Sequence, residues 1–92
     1  MRQLHAGYGA APNPDAARRF IEFFTANIRN PHTRRAYARA AVEFAGWCER
    51  SDIREFRDIE PVHIATYIEA LQPRLAAPSV KQHLAAIRML FD

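Results

Sequence analysis

Arginine is the residue type through which this sequence could do chemistry. The segment from Arg29 to Arg39 holds four arginines and no acidic residue, and 12 of the 13 basic residues in the chain are arginine. Guanidinium groups bind phosphates and pair bidentately with guanine, so this segment predicts a polyanionic partner such as nucleic acid. On a helical wheel, Arg35 and Arg39 share the solvent face one turn apart, with Arg34 on the flank. The alternative is an ordinary solvated face that Glu43 partly neutralises.

A second surface of the same kind is predicted near the C-terminal end. There the wheel places Lys81 and Arg88 on one flank and turns four residues outward, namely Gln82, Ala85, Ala86 and Met89. Glutamine can pair with adenine, lysine reaches phosphate or guanine, and alanines allow a helix to approach a groove closely. The alternative is an exposed helix face, and for Met89 a contact with a continuation of the chain or a neighbouring subunit.

No residue set predicts a metal, a cofactor or a catalytic centre. No two of the four histidines are spaced i, i+4, and the single cysteine, Cys48, falls on an apolar stripe. His63 is interpreted as a surface residue. The acidic residues between Glu49 and Glu60 alternate with arginines, which surface ion pairs explain.

Composition and charge predict one small all-α domain with an uneven charge distribution. The 92 residues are 49% apolar, with only 3 glycines and many alanines, which favours helices over sheets. Residues 1–50 hold eight basic and four acidic side chains, whereas residues 51–92 hold five and six. No apolar run is long enough to span a membrane, and the N-terminal segment lacks the apolar core of a secretory signal. We therefore expect a soluble, cytoplasmic protein with no membrane partner.

Proline positions divide the sequence into an arm, four helices and a connector, because proline is tolerated in a helix's first turn and disfavours helix just before it. We expect a flexible arm over residues 1–13 and one domain over 14–92. The helices of this domain are expected at about 14–28, 31–50, 61–71 and 78–91. The connector at 51–60 is expected to be irregular or a single turn. The predicted buried residues are Phe20, Ile21, Phe24 and Ile28, then Thr33, Tyr37, Ala41, Phe44 and Cys48, then Ile53, Phe56 and Ile59, then Ile64, Tyr67, Ile68 and Leu71, then Val80, Leu84, Ile87 and Phe91.

Four segments carry motifs that occur together in one known family. Asn30–Tyr37 is similar to an S-x-x-T-x-x-x-Y helix opening and Phe44–Cys48 to an aromatic-x-x-Trp-Cys close. Ile59–Ile68 is similar to I-T-P-E-D-V-x-x-Y-L, and Ser79–Arg88 to S-T-V-x-x-H-L-S-A-L-R. In this order, over about residues 15–91, they resemble the N-terminal core-binding (SAM-like) domain of tyrosine recombinases, the phage-integrase family. Ala77 departs from the pattern, since the family often has Ser or Thr near that helix cap.

The resemblance implies a compact four-helix SAM-like orthogonal bundle that binds double-stranded DNA. Such a domain forms half of a C-shaped clamp around a recombination site, with its second and fourth helices crossing the major groove. Carried over position by position, and joined by weaker candidates on the same helices, the DNA-binding residues are Thr33, Arg34, Arg35, Arg39, Lys81, Gln82, His83 and Arg88.

The resemblance also implies that catalysis lies elsewhere. The family's Arg, Lys, His-x-x-Arg and Tyr nucleophile belong to a separate C-terminal domain. His32 and Arg35 have the His-x-x-Arg spacing and Tyr67 lies downstream, but we interpret the stretch as helix sequence, not as an active site. The chain closes on a helix, so we expect a continuation. The expected partners are the catalytic domain of the parent chain and other protomers on DNA, in association with the nucleoid.

Two other functions were compatible with the sequence. A helical protein–protein interaction module would use the Met89 end or the acidic connector as its surface and would bind no DNA. A helix-turn-helix regulator is disfavoured because no two helices are joined by a turn of three or four residues, the connectors being Ser51–Glu60 and Gln72–Ala77.

Overall fold

The computed structural model describes the backbone of residues 14–91 and the side chains of residues 18–91. Over that range the chain forms four α-helices and one 3₁₀ turn and no strand: α1 Pro14–Asn27, α2 Pro31–Arg50, the turn Phe56–Asp58, α3 Pro61–Leu71 and α4 Ala77–Phe91. The predicted all-α class is therefore confirmed, and each helix boundary lies within one residue of its prediction. The arm predicted over residues 1–13 lies outside the described residues.

Local hydrogen bonds cap both ends of α2. The Asn30 Oδ1 accepts from the backbone N–H groups of His32 at 2.8 Å and Thr33 at 3.2 Å, which satisfies two donors of the first turn. At the other end Asp52 takes the left-handed conformation with φ of 65°. Its N–H bonds to the Glu49 carbonyl at 3.1 Å and that of Ile53 to the Cys48 carbonyl at 2.8 Å, which is a Schellman motif.

The start of α3 corrects the interpretation of His63 as a simple surface residue. His63 is half-buried, and its Nδ1 accepts from the backbone N–H of Glu60 at 2.9 Å. The imidazole therefore serves at the third helical position, where a capping box usually has Glu or Gln.

The core has two adjoining parts, both built on α2. The first joins α1, α2 and α4 through Phe20, Phe24, four alanines of α2 and Ala86. The second joins α2, α3 and α4 through Phe44, Cys48, Tyr67, Leu71 and Ile87. Apart from Thr33, which is half-buried outside them, the predicted stripes of α2 and α3 lie in these clusters, so the orientation of both helices was predicted correctly. Packing against α2 on both sides fixes which of its faces stays exposed.

The predicted orientation of α4 is correct only in part: Ile87 is 0% exposed and Val80 packs on the second core cluster, as predicted, but the buried side is rotated away from the rest of the predicted stripe. Ala86, predicted to face outward, is 0% exposed, and Met89 is half-buried against the first core cluster. Phe91, predicted to be buried, is 42% exposed. The alanines of α2 admit Ala86 because it is small, so the buried side of α4 extends from Ile87 to Ala86 and His83.

Two further expectations of burial fail at the edge of the bundle. Ile21 of α1 is 51% exposed and Phe56 of the connector is 41% exposed, although both were predicted to be buried. Phe56 instead stacks on Phe20, with ring centroids 5.7 Å apart, while Ile53 and Ile59 pack on the second core cluster as predicted.

The link between α1 and α2 corrects the argument against a helix-turn-helix. It comprises residues 28–30 alone, so the length of the connectors does not disfavour that motif.

Candidate nucleic-acid interface

Arg34 joins the beginning of α2 to the end of α1. Its Nε and Nη2 donate to the Ile28 carbonyl at 3.1 and 3.0 Å, and Nη2 also donates to the Arg29 carbonyl at 3.1 Å. These are carbonyls that follow the last turn of α1, where a cation is favoured by the helix dipole and by unsatisfied acceptors. Arg34 therefore positions the two helices, and most of its guanidinium N–H groups donate hydrogen bonds within the protein.

Arg35 and Arg39 form an exposed pair on the next turns of α2. The Nη2 of Arg35 lies 3.1 Å from Nδ1 of His32, which orients the side chain without neutralising it. Within the described residues Arg39 has no hydrogen-bonding or ionic partner; the ion pairs seen are Arg54–Asp52 and Arg57–Glu55 in the connector. The two α2 guanidinium groups, one turn apart, are therefore available to bind an anion. Thr33, just before them, is half-buried with its N–H on the Asn30 side chain.

The predicted residues of α4 divide between two sides of the helix. Lys81, Gln82 and Arg88 are exposed, and Lys81 and Arg88 lie two turns apart on one side. His83 is half-buried on the packed side, and its Nδ1 is buried with no hydrogen-bond partner among the described residues. The structure thus groups Lys81 with Arg88 and separates them from His83. The seven-residue spacing of Lys81 and Arg88 predicts that they share one flank, whereas the burial of the His83 ring depends on the rotation of α4.

An apolar groove runs along the Arg35–Arg39 pair and was not anticipated from the sequence. It has a volume of about 450 Å³ and lies between α1 and α2. Ile21, Ala38 and Val42 form its apolar lining, and the remaining lining residues are charged ones of α2: Arg34, Arg35, Arg39 and Glu43. The sequence signal was available only in part, because Ile21 had been assigned to the core.

Cys48 and Tyr67 are both buried, which favours their protonated forms. Burial raises the pKa of the Cys48 thiol to about 11. Burial, with a smaller contribution from Glu43, raises the pKa of the Tyr67 phenol to about 12. Tyr67 is 4% exposed and packs against Phe44 and Trp47, with centroids 5.1 and 5.3 Å away. A phenol in that position cannot reach a DNA phosphate, which agrees with its interpretation as a core residue.

The described residues show neither a cluster of metal-ligating side chains nor a membrane-spanning helix. They contain no group of three or more His, Cys, Asp or Glu side chains arranged to hold a metal ion. No helix among them has the length and hydropathy of a membrane span.

Comparison with known families decides the affiliation of this helical bundle. A family model described as the phage integrase N-terminal SAM-like domain matches residues 17–92, which is most of the chain. The chain belongs to this family. The resemblance drawn from four sequence motifs is thereby confirmed, and with it the SAM-like fold. Comparisons with curated proteins and with solved structures gave no significant match. For this SAM-like domain, a relation to recombinases therefore follows from the family match alone.

Proposed function

We propose that this SAM-like domain is the DNA-binding, core-binding domain of a site-specific tyrosine recombinase. It grips the recombination site in the major groove and positions a separate catalytic domain for DNA integration or recombination. The observation that carries the proposal is the pair of exposed arginines, Arg35 and Arg39, held one turn apart on α2 without an acidic partner among the described residues. Like charges at this spacing mildly destabilise a helix, so a polyanion explains them better than folding does.

The two exposed sets have different roles in this proposal. Arg35 and Arg39 bind backbone phosphates, which supply most of the affinity and little sequence preference. On α4, Lys81 and Arg88 add cationic contacts and Gln82 pairs with adenine, a contact that discriminates by about 1–3 kcal/mol where geometry is good. Thr33 lies at the helix start beside them.

Two predicted contact residues take indirect roles. Arg34 acts through the Ile28 and Arg29 carbonyls, to which it donates, and so orients the start of α2. His83 supports the packed side of α4, where its ring is half-buried. Both are therefore proposed as residues that position the DNA-binding helices.

The partners follow from the same proposal. The catalytic domain of the parent chain would supply the Tyr nucleophile and its cationic partners, and other protomers would assemble on the same DNA. Binding to chromosomal DNA would place the protein at the nucleoid.

Fluorescence anisotropy with a labelled random duplex of roughly 30 base pairs tests the proposal. We expect the 92-residue chain to bind with a Kd between about 10⁻⁶ and about 10⁻⁴ M, weakening steeply between about 50 and about 200 mM salt. The double variant Arg35→Ala/Arg39→Ala should bind more weakly and with a shallower salt dependence.

A matched control separates this site from general electrostatics. Arg54→Ala/Arg57→Ala removes the same number of positive charges, but these arginines pair with Asp52 and Glu55. We expect it to change DNA affinity much less. Equal losses in the two double variants, or no DNA binding at low salt, would contradict the proposal and favour the alternative, a helical protein-interaction module.

A further inference from the structure

The groove between α1 and α2 has a shape and chemistry that phosphate binding does not require. Its floor is apolar: Ala38 and Val42 on α2 and Ile21 on α1, the last 51% exposed. An exposed branched aliphatic side chain beside an open apolar groove is typical of a surface that receives another apolar side chain.

The charged residues of the groove follow a fixed order along α2. Arg35, Arg39 and Glu43 are spaced i, i+4, i+8, so they form one row parallel to the inner row of Arg34, Ala38 and Val42. The residues from 34 to 43 span about 15 Å of helix, which is enough for three turns of a second helix laid alongside. The row along the groove is therefore positive at Arg35 and Arg39 and negative at Glu43.

We infer that this groove is a docking site for an acidic amphipathic helix of a protein partner. Apolar side chains of the partner enter between Ile21, Ala38 and Val42, in the manner of helix-in-groove recognition. Carboxylates on one flank meet Arg35 and Arg39, and a basic residue one turn further meets Glu43. Charge complementarity selects this occupant over a basic or neutral helix.

A regulatory consequence rests on the proposed function. If Arg35 and Arg39 bind DNA phosphates, a helix whose carboxylates occupy them excludes DNA from α2. The partner would therefore act as a competitor that releases this domain from its recombination site.

The probes are two labelled peptides of about 16 residues with the same leucine stripe and with either glutamate or lysine along one flank. We expect the 92-residue chain to bind the glutamate peptide at least about tenfold more tightly than the lysine peptide. Ile21→Ser should weaken the glutamate peptide by about tenfold, the loss expected from an apolar anchor. Arg39→Glu should reverse the preference between the two peptides.

Val62→Ser is the matched control, because Val62 is a branched aliphatic residue of α3 that is 60% exposed and does not line the groove. Equal binding of the two peptides, or equal effects of Ile21→Ser and Val62→Ser, would overturn the docking site. A homodimer abolished by Ile21→Ser would also overturn it, because the occupant would then be a second copy of the chain.

Competition with the duplex distinguishes this inference from the proposed function. Displacement of DNA by the glutamate peptide supports both. If the chain binds the peptide in the groove but binds no duplex, the docking site is supported and the proposed function is contradicted. Simultaneous binding of peptide and duplex would refute the exclusion of DNA.

Discussion

Neighbouring arginines in α2 do different work. Arg34 donates three hydrogen bonds of 3.0–3.1 Å to carbonyls after α1, whereas Arg39 is exposed. Replacing Arg34 by alanine should lower the free energy of unfolding by about 1–2 kcal/mol, because the carbonyls at the end of α1 lose their charged donor. Arg39→Ala should leave stability within about 0.5 kcal/mol of wild type. Urea denaturation measures both, and an Arg34→Ala variant as stable as wild type that fails to bind DNA would show that Arg34 contacts DNA directly.

Cys48 gives the fold a dependence on alkaline pH. Its pKa is 9.0 when unperturbed and about 11 in the folded chain, so the folded state holds its proton over a range where the unfolded state loses it. The stabilisation is fully present below pH 9, and falls as the pH rises toward the folded pKa. Near pH 10 the loss from this thiol is on the order of 1 kcal/mol.

A Cys48→Ala variant isolates that contribution. Substituting alanine should lower stability at neutral pH but flatten its decline between about pH 8 and about pH 10, where Tyr67, with a pKa raised to about 12, contributes less. Urea titrations with reducing agent at each pH give the two curves. Parallel curves would show that the thiol is not the group responsible.

Helix boundaries could be predicted from the sequence because their causes are local. Pro31 and Pro61 occupy first-turn positions and Asn30 caps its own helix through bonds to residues two and three further on. The apolar stripe of α4 placed Ile87 but not Ala86 on the buried side, so the rotation of this helix was predicted only in part. It depends on which of its residues fits against the alanines of α2, and Ala86 fits by being small, which a hydrophobic stripe does not register. The role of Arg34 was missed for a related reason, since only the folded link between α1 and α2 brings its guanidinium group to the Ile28 carbonyl.

Packing between α2 and α4 provides a prediction at the scale of these two elements. Ala86 is 0% exposed and shares a core cluster with Ala38, Ala41 and Ala45. Ala86→Leu should lower the free energy of unfolding by about 1–3 kcal/mol, because added methyl groups force the two helices apart. Ala70→Leu, at an exposed position of α3, is the control and should be nearly neutral. Urea denaturation decides, and a stable Ala86→Leu variant would mean that the interface is looser than the structure shows.

The size of the whole domain sets the length of DNA that it can occupy. Its long axis is 41 Å, which corresponds to about 12 base pairs at about 3.4 Å each. If α2 and α4 bind one duplex together, the slope of log K against log salt should reach its full value on a duplex of that length. Each phosphate contact should contribute about 0.9 to this slope. Anisotropy titrations of duplexes from about 6 to about 30 base pairs test this, since a shorter duplex loses contacts whereas a longer one adds only overlapping sites. Removing Lys81 and Arg88 in addition to Arg35 and Arg39 should then lower the slope further on the 12-base-pair duplex. An unchanged slope would mean that α4 faces away from the DNA that α2 binds, and the two helices would not form one clamp surface.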